Sequence, residues 1–143
     1  MVATYSSGSF RPLHPLHAIL LAFPLPLFAG ALISDLAYQA TFHIQWANFS
    51  SWLIAGGLVG GGFATLWALI NLFRRGPARK RRMIVYFVVL AVMWVLGFIN
   101  ALVHAKDAWA TMPEGLYLSA ITTLLALIAA WIGYSGFQTG EVK

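Results

Sequence analysis

The sequence predicts an all-α polytopic membrane protein: a single domain over residues 1–143, built as a four-transmembrane-helix bundle with both termini cytoplasmic. Three observations carry this expectation. First, 60% of the 143 residues are hydrophobic and only 9% are charged, with a mean hydropathy of +0.78, whereas a soluble fold gives roughly a quarter of its residues to charge. A soluble enzyme is excluded. Second, four apolar runs each have the length that a hydrocarbon core of about 30 Å demands. Third, six of the nine Lys and Arg side chains, Arg74, Arg75, Arg79, Lys80, Arg81 and Arg82, crowd into one connection, RRGPARKRR. By the positive-inside rule that connection is cytoplasmic, and in a four-helix chain both termini share its side.

The runs are residues 16–38, 51–73, 83–103 and 116–134. Each is expected to be a helix, since backbone polar groups in lipid must be paired within the segment and no barrel-like alternation is present. In the first, Pro15 suits the first helical turn, where its missing N–H is not needed. Pro24 and Pro26 kink the middle, and the run is too long and its flank too uncharged for a cleaved signal peptide. The second contains Gly56, Gly60, Ala64 and Ala68 at four-residue spacing, a smooth stripe for helix packing or, alternatively, a floor for a flat ring such as a porphyrin or quinone. Asn71 continues the stripe. Before the fourth run, Pro113 plays the part of Pro15. Tyr38, Trp46, Trp52, Trp109 and Tyr117 gather at the outer interface, with Tyr86 and Tyr134 at the inner one, as aromatic belts do. There is no cysteine, which excludes disulfides, thiolate metal sites and cysteine nucleophiles. The basic block accounts for the pI near 10.0 through orientation and contact with anionic lipid rather than nucleic acid.

The ionisable groups divide by depth. His14 and His17 lie one turn apart at the cytoplasmic mouth of the first helix. Asp35, His43, His104 and Asp107 fall at or beyond the outer ends of the first and third helices, with Asn100 one turn before His104. About 20 helical residues, roughly 30 Å, separate the two groups, so one cofactor is not gripped by His17 and His104 together within a monomer. Histidine ligates haem and metals, and polar residues in spans are functional candidates; a histidine at a helix end also serves by binding a carbonyl. The outer set, His104 with Asp35 and Asp107, suits a divalent metal, a proton relay or a quinone head, provided that the first and third helices pack together. No nucleophile–base pair, phosphate loop or zinc-protease motif is present.

The segments HPLHA (14–18), SDLAY (34–38), FSSWLIAGGLVGG (49–61), NALVHAKDAW (100–109) and GLYLSA (115–120) resemble the bacterial four-helix membrane family catalogued as domain of unknown function 2231. The resemblance runs from His14 to about Gly136. Members occur fused to or encoded beside Rieske-type iron–sulfur proteins, c-type cytochromes and quinoprotein sugar dehydrogenases, so it implies a membrane electron-transfer setting. It directs attention to His14, His17 and His104. The chain departs from the pattern at Asn71, where several relatives carry an acidic residue.

The expectation is therefore a bacterial inner-membrane electron-transfer or quinone-associated subunit serving a periplasmic redox partner. Haem b or a quinone is the expected cofactor, with His104 and His43 as outer ligands and Asn100 beside them. His14 and His17 are left for a second cofactor or one shared across a homodimer. The alternative is a cofactor-free scaffold subunit whose glycine stripe docks a partner helix; a proton or metal-ion transporter using Asp35 and His104 ranks below both. In any of these, substrate oxidation itself belongs to another polypeptide, so the chain is not expected to be a stand-alone enzyme. The topology has a direct check, because the native chain lacks cysteine. A single cysteine at Gln45 or Ala110 should react with a membrane-impermeant thiol reagent in intact spheroplasts, and one at Ala78 should not.

Overall fold

The computed structural model describes residues 14–74, 80–107 and 110–135. Among these the chain forms five helices and four candidate membrane spans. Helices α1 (Pro15–Ala22) and α2 (Pro24–Thr41) make up the first span, broken at Phe23. The break has a backbone cause. Pro24 has no N–H for the Leu20 carbonyl and Pro26 none for the Ala22 carbonyl, so two helical bonds are lost within one turn. The span resumes at once because Leu27 N–H reaches the Phe23 carbonyl.

At its outer end α2 stops at Phe42, which takes a left-handed conformation (φ 57°) and returns its N–H to the Tyr38 carbonyl at 2.7 Å. Helix α3 (Ile44–Arg74) begins two residues later, seven residues before the run that hydropathy alone marks out. The added turns are amphipathic: Ala47 and Ser50 face inward, while Ile44, Trp46 and Phe49 face outward. At 31 residues this helix is about 46 Å long, well beyond a hydrocarbon core. Helices α4 (Lys80–His104) and α5 (Glu114–Ser135) complete the bundle, and Glu114 places its charge at the positive end of α5.

The helices pack in a ring, α2 on α3, α3 on α4, α4 on α5 and α5 back on α2, with α1 lying chiefly against α3. The first and third spans are therefore diagonal partners. The expectation that they are packed neighbours is corrected: what joins them is side chains that cross the bundle axis.

Phe28 fills the centre. It is fully buried, with Leu90 and Met93 beside it, and its ring lies in a slot cut by two glycines. A Cβ on Gly57 would come within 2.9 Å of the ring and one on Gly97 within 3.1 Å. The small-residue stripe of α3 is occupied by the chain's own kinked span, since a Cβ on Gly56 would meet Leu27 at 3.2 Å and one on Gly60 would meet the Phe23 Cβ at 2.5 Å. Ala64 and Ala68 are buried in the same seam. Large apolar side chains such as Trp52, Phe73 and Trp131 point outward, where lipid would cover them. Gly60→Val should destabilise the bundle by about 1–3 kcal/mol through overpacking, whereas the outward-facing Val59→Ala should be near neutral; unfolding in detergent micelles measures both.

Candidate functional site

At the outer end of the bundle, all four spans converge on one carboxylate. Asp35 lies within α2, six residues before its end, and its side chain is fully buried; the His104 side chain, at the last residue of α4, is 1% exposed. Across the diagonal, His104 Nε2 meets Asp35 Oδ1 at 2.9 Å. The other carboxylate oxygen accepts a short hydrogen bond from the Ser119 hydroxyl of α5. Ser119 Oγ in turn accepts from the Asn100 side-chain amide at 2.8 Å. His104 Nδ1 meets the Asn100 backbone carbonyl at 3.0 Å. From α3, the Ser50 hydroxyl lies 3.2 Å from His104 Nε2 and donates to the Ala31 carbonyl at 3.4 Å. Helix α5 leaves room for the ring: a Cβ on Gly115 would sit 2.8 Å from His104 Cε1.

The partners fix the proton count. A backbone carbonyl only accepts, so His104 Nδ1 carries a hydrogen. Nε2 faces a carboxyl oxygen, and one proton lies between them, whether written as imidazolium and carboxylate or as imidazole and carboxylic acid. In both forms the pair is neutral overall, which is what a low-dielectric interior requires. Ser50 is not an activated nucleophile, despite having a histidine and an aspartate at hand. Nucleophilic activation sets serine and aspartate on opposite ring nitrogens, whereas here both meet Nε2.

A second polar layer lies at the opposite end. The Tyr86 hydroxyl of α4 is 3.1 Å from His17 Nε2 of α1, and both residues are buried. The His17 ring stacks on Trp67 of α3 at 5.8 Å with planes 22° apart, and exposed His14 tilts against the same indole at 5.1 Å. The Tyr134 hydroxyl donates to the Ala18 carbonyl at 2.9 Å. Gly133 leaves room for Tyr86, as a Cβ there would lie 3.3 Å from the phenol oxygen. The two layers share one register. Eighteen residues separate His17 from Asp35, Tyr86 from His104, and Gly133 from Gly115. That is about five helical turns, which returns to the same face.

The family model described as "Predicted membrane protein (DUF2231)" matches residues 13–139 and so covers both layers. The chain belongs to the DUF2231 family. Searches of the curated proteins and of the solved structures returned no match. The DUF2231 description extends to membrane residence and gives no activity.

Of the residues that the sequence singled out in this DUF2231 chain, Asp35, Asn100 and His104 come together, and His14 and His17 share a face over Trp67. Two do not join them. His43 is exposed in the turn after α2, its backbone N–H directed to Thr41 Oγ1 at 3.4 Å. Asp107 is exposed beyond α4, where its backbone carbonyl accepts from Ala110 N–H at 2.8 Å. The structure thus does not bring His43 to His104. Nor does it bring Asp107 to the His104–Asp35 pair: among the described residues no three His, Asp or Glu side chains are grouped to hold a metal ion. A haem b between two histidines of one chain does not fit either. Axial ligation needs a free imidazole lone pair, yet both nitrogens of His104 have partners, and His14 and His17 stand side by side on one helix.

Ser50 and Ser119 were not singled out by the sequence, and Tyr86 was read only as an inner-interface aromatic, although its eighteen-residue spacing from His104, matching that of His17 from Asp35, marks it. The outer network predicts an asymmetry between its two members. His104→Ala should cost about 3–5 kcal/mol by stranding a buried carboxylate. Asp35→Asn should stay within about 1.5 kcal/mol of the parent, because its amide N–H is placed to donate to His104 Nε2 while its carbonyl accepts from Ser119. Unfolding in detergent compares the two.

Proposed function

We propose that this protein is a proton-handling subunit of quinone-linked electron transfer in a bacterial inner membrane. In this reading the Asp35–His104 pair takes up or delivers one proton beside a quinone head near the periplasmic end of the bundle. The observation that carries the reading is the diagonal pair itself. Ionisable side chains are expensive in a membrane and commonly mark proton routes, whereas a purely mechanical tie between helices is made at lower cost from apolar contacts. Quinol oxidation releases protons in step with electrons, and an acceptor held close to the head takes them without exposing charge to lipid. Asp35 lies about 9 Å below the end of α2, and in this reading the ring enters from the outer leaflet and exchanges its proton with the enclosed pair.

The roles of the residues follow from their contacts. Asp35 Oδ1 and His104 Nε2 hold the proton between them. Ser119, steadied by Asn100, fixes the other carboxylate oxygen, so that the carboxyl group keeps its orientation as the proton moves. The Asn100 carbonyl keeps His104 Nδ1 protonated, which leaves Nε2 as the exchanging atom. The electron-transfer setting is the one that the family resemblance implies, and the positive-inside expectation for the Arg74, Arg81 and Arg82 end supports a periplasmic position for the pair.

A cofactor-free scaffold is the second reading. It is favoured by the internal pairing of the network, in which the Ser50, Asn100, His104 and Ser119 donors find acceptors inside the chain, although the buried Asn100 Oδ1 has no hydrogen-bond partner. The glycine stripe lends it no support, since the first span already occupies it. Transport draws none from the midplane, which Phe28, Leu90 and Met93 fill.

Asp35→Asn separates the two surviving readings, because it preserves the tie and removes the exchangeable acid. In membranes from cells lacking the native copy, the parent chain should restore quinol-dependent oxygen uptake, and Asp35→Asn, inserted at parental level, should restore about a hundredfold less, the lower end of the range for loss of a positioned acid–base group. Full restoration by Asp35→Asn would leave the scaffold reading in possession.

A further inference from the structure

We propose that Tyr86 and His17 form a redox-active pair at the inner end of the bundle, in which the tyrosine gives up one electron while its proton passes to the histidine. This rests on the electron-transfer reading above and concerns a different site. Four observations carry it. The Tyr86 hydroxyl is 3.1 Å from His17 Nε2, within hydrogen-bond reach of a base. Both side chains are buried, at 7% and 3% exposure, so bulk water does not compete for the phenolic proton. The rings meet edge-on, at 83° and 6.1 Å between centroids. A path of rings in contact, His14 to Trp67 to His17 to Tyr86, leads from the exposed end of the first span to the buried phenol.

The step balances as follows. A one-electron oxidant, an oxidised metal centre of a partner protein docked at the inner end, accepts one electron. The Tyr86 O–H bond breaks, an N–H bond forms at His17 Nε2, and the products are a neutral tyrosyl radical and a histidinium. Return of the electron reverses both changes. Without a base the product would be a protonated phenol radical cation, an extremely strong acid. Shifting the proton by one hydrogen bond leaves the same single positive charge on the imidazole, a far weaker acid, and so lowers the energy of the oxidised pair. His17 is held for this by its stacking on Trp67, and Gly133 supplies the clearance at the phenol.

The test uses the full-length protein in detergent with photogenerated tris(bipyridine)ruthenium(III) as the oxidant and freeze-quenched electron paramagnetic resonance as the readout. The parent protein should give a neutral tyrosyl signal that forms more slowly in deuterium oxide. Tyr86→Phe removes one hydroxyl and keeps the ring, so it should fold and lose most of that signal, while Tyr117→Phe and Tyr134→Phe should retain it. His17→Gln should slow radical formation about a hundredfold, the lower end of what a positioned base contributes. The isotope comparison needs no variant, so misfolding of His17→Gln would not spare the idea. A full signal in Tyr86→Phe, radicals on tryptophan alone, or equal rates in the two solvents would each overturn it. Those outcomes leave the quinol assay of Asp35→Asn untouched, and a silent quinol assay would leave the radical measurement standing, so the two failures are distinguishable.

Discussion

A carboxylate placed in the outer half of a membrane bundle has to be neutralised within hydrogen-bond reach, and the outer architecture of this protein depends on that constraint. Asp35 belongs to the first span and its proton-sharing partner to the third, so the bond between them runs through the axis rather than along a seam. Crossing the axis requires that the other two helices admit two polar side chains and satisfy them. Helix α5 does so with a hydroxyl at Ser119 and a vacant Cβ position at Gly115; α3 does so by starting early enough to bring Ser50 to the same level. The early start of α3 and the small residues of the neighbours thus read as consequences of one buried acid.

The interior between the two polar layers has the opposite character. Phe28 sits in its glycine slot with Leu90, Met93 and Ile54 around it. Among the described residues, the polar groups at this depth, such as the Thr65 and Thr122 hydroxyls and the Trp94 indole N–H, are spent on backbone carbonyls of the helices.

The spans were legible because lipid imposes a length and an apolar composition that few other environments demand. The start of α3 was not, since IQWANFS is half polar and a hydropathy window averages its two faces. Asp35, Asn100 and His104 stood out as polar residues in apolar surroundings. His43 and Asp107 stood out for the same reason, yet residue type alone does not separate a side chain turned inward from one on a loop. Ser50 and Ser119 were inconspicuous because a hydroxyl in a membrane helix is ordinarily satisfied by the carbonyl one turn back, as Ser34 and Ser51 are here. The diagonal packing was hidden as well: neighbour relations among four antiparallel spans do not follow from connection lengths alone.

The common register of the two ties bears on how the molecule is able to move. In an up–down–up–down bundle the first and third spans run in the same direction, and both ties join residues sixty-nine positions apart. Together the two spans and two ties form a parallelogram linkage. Sliding one span along the other by a turn breaks both corners at once, so a piston stroke is resisted twice over. Bending is different, because the break at Phe23 lies between the corners on one side only. Bending about that joint would move the inner corner while the outer corner stays closed, the geometry of a lever with a fixed outer fulcrum rather than of a shuttle.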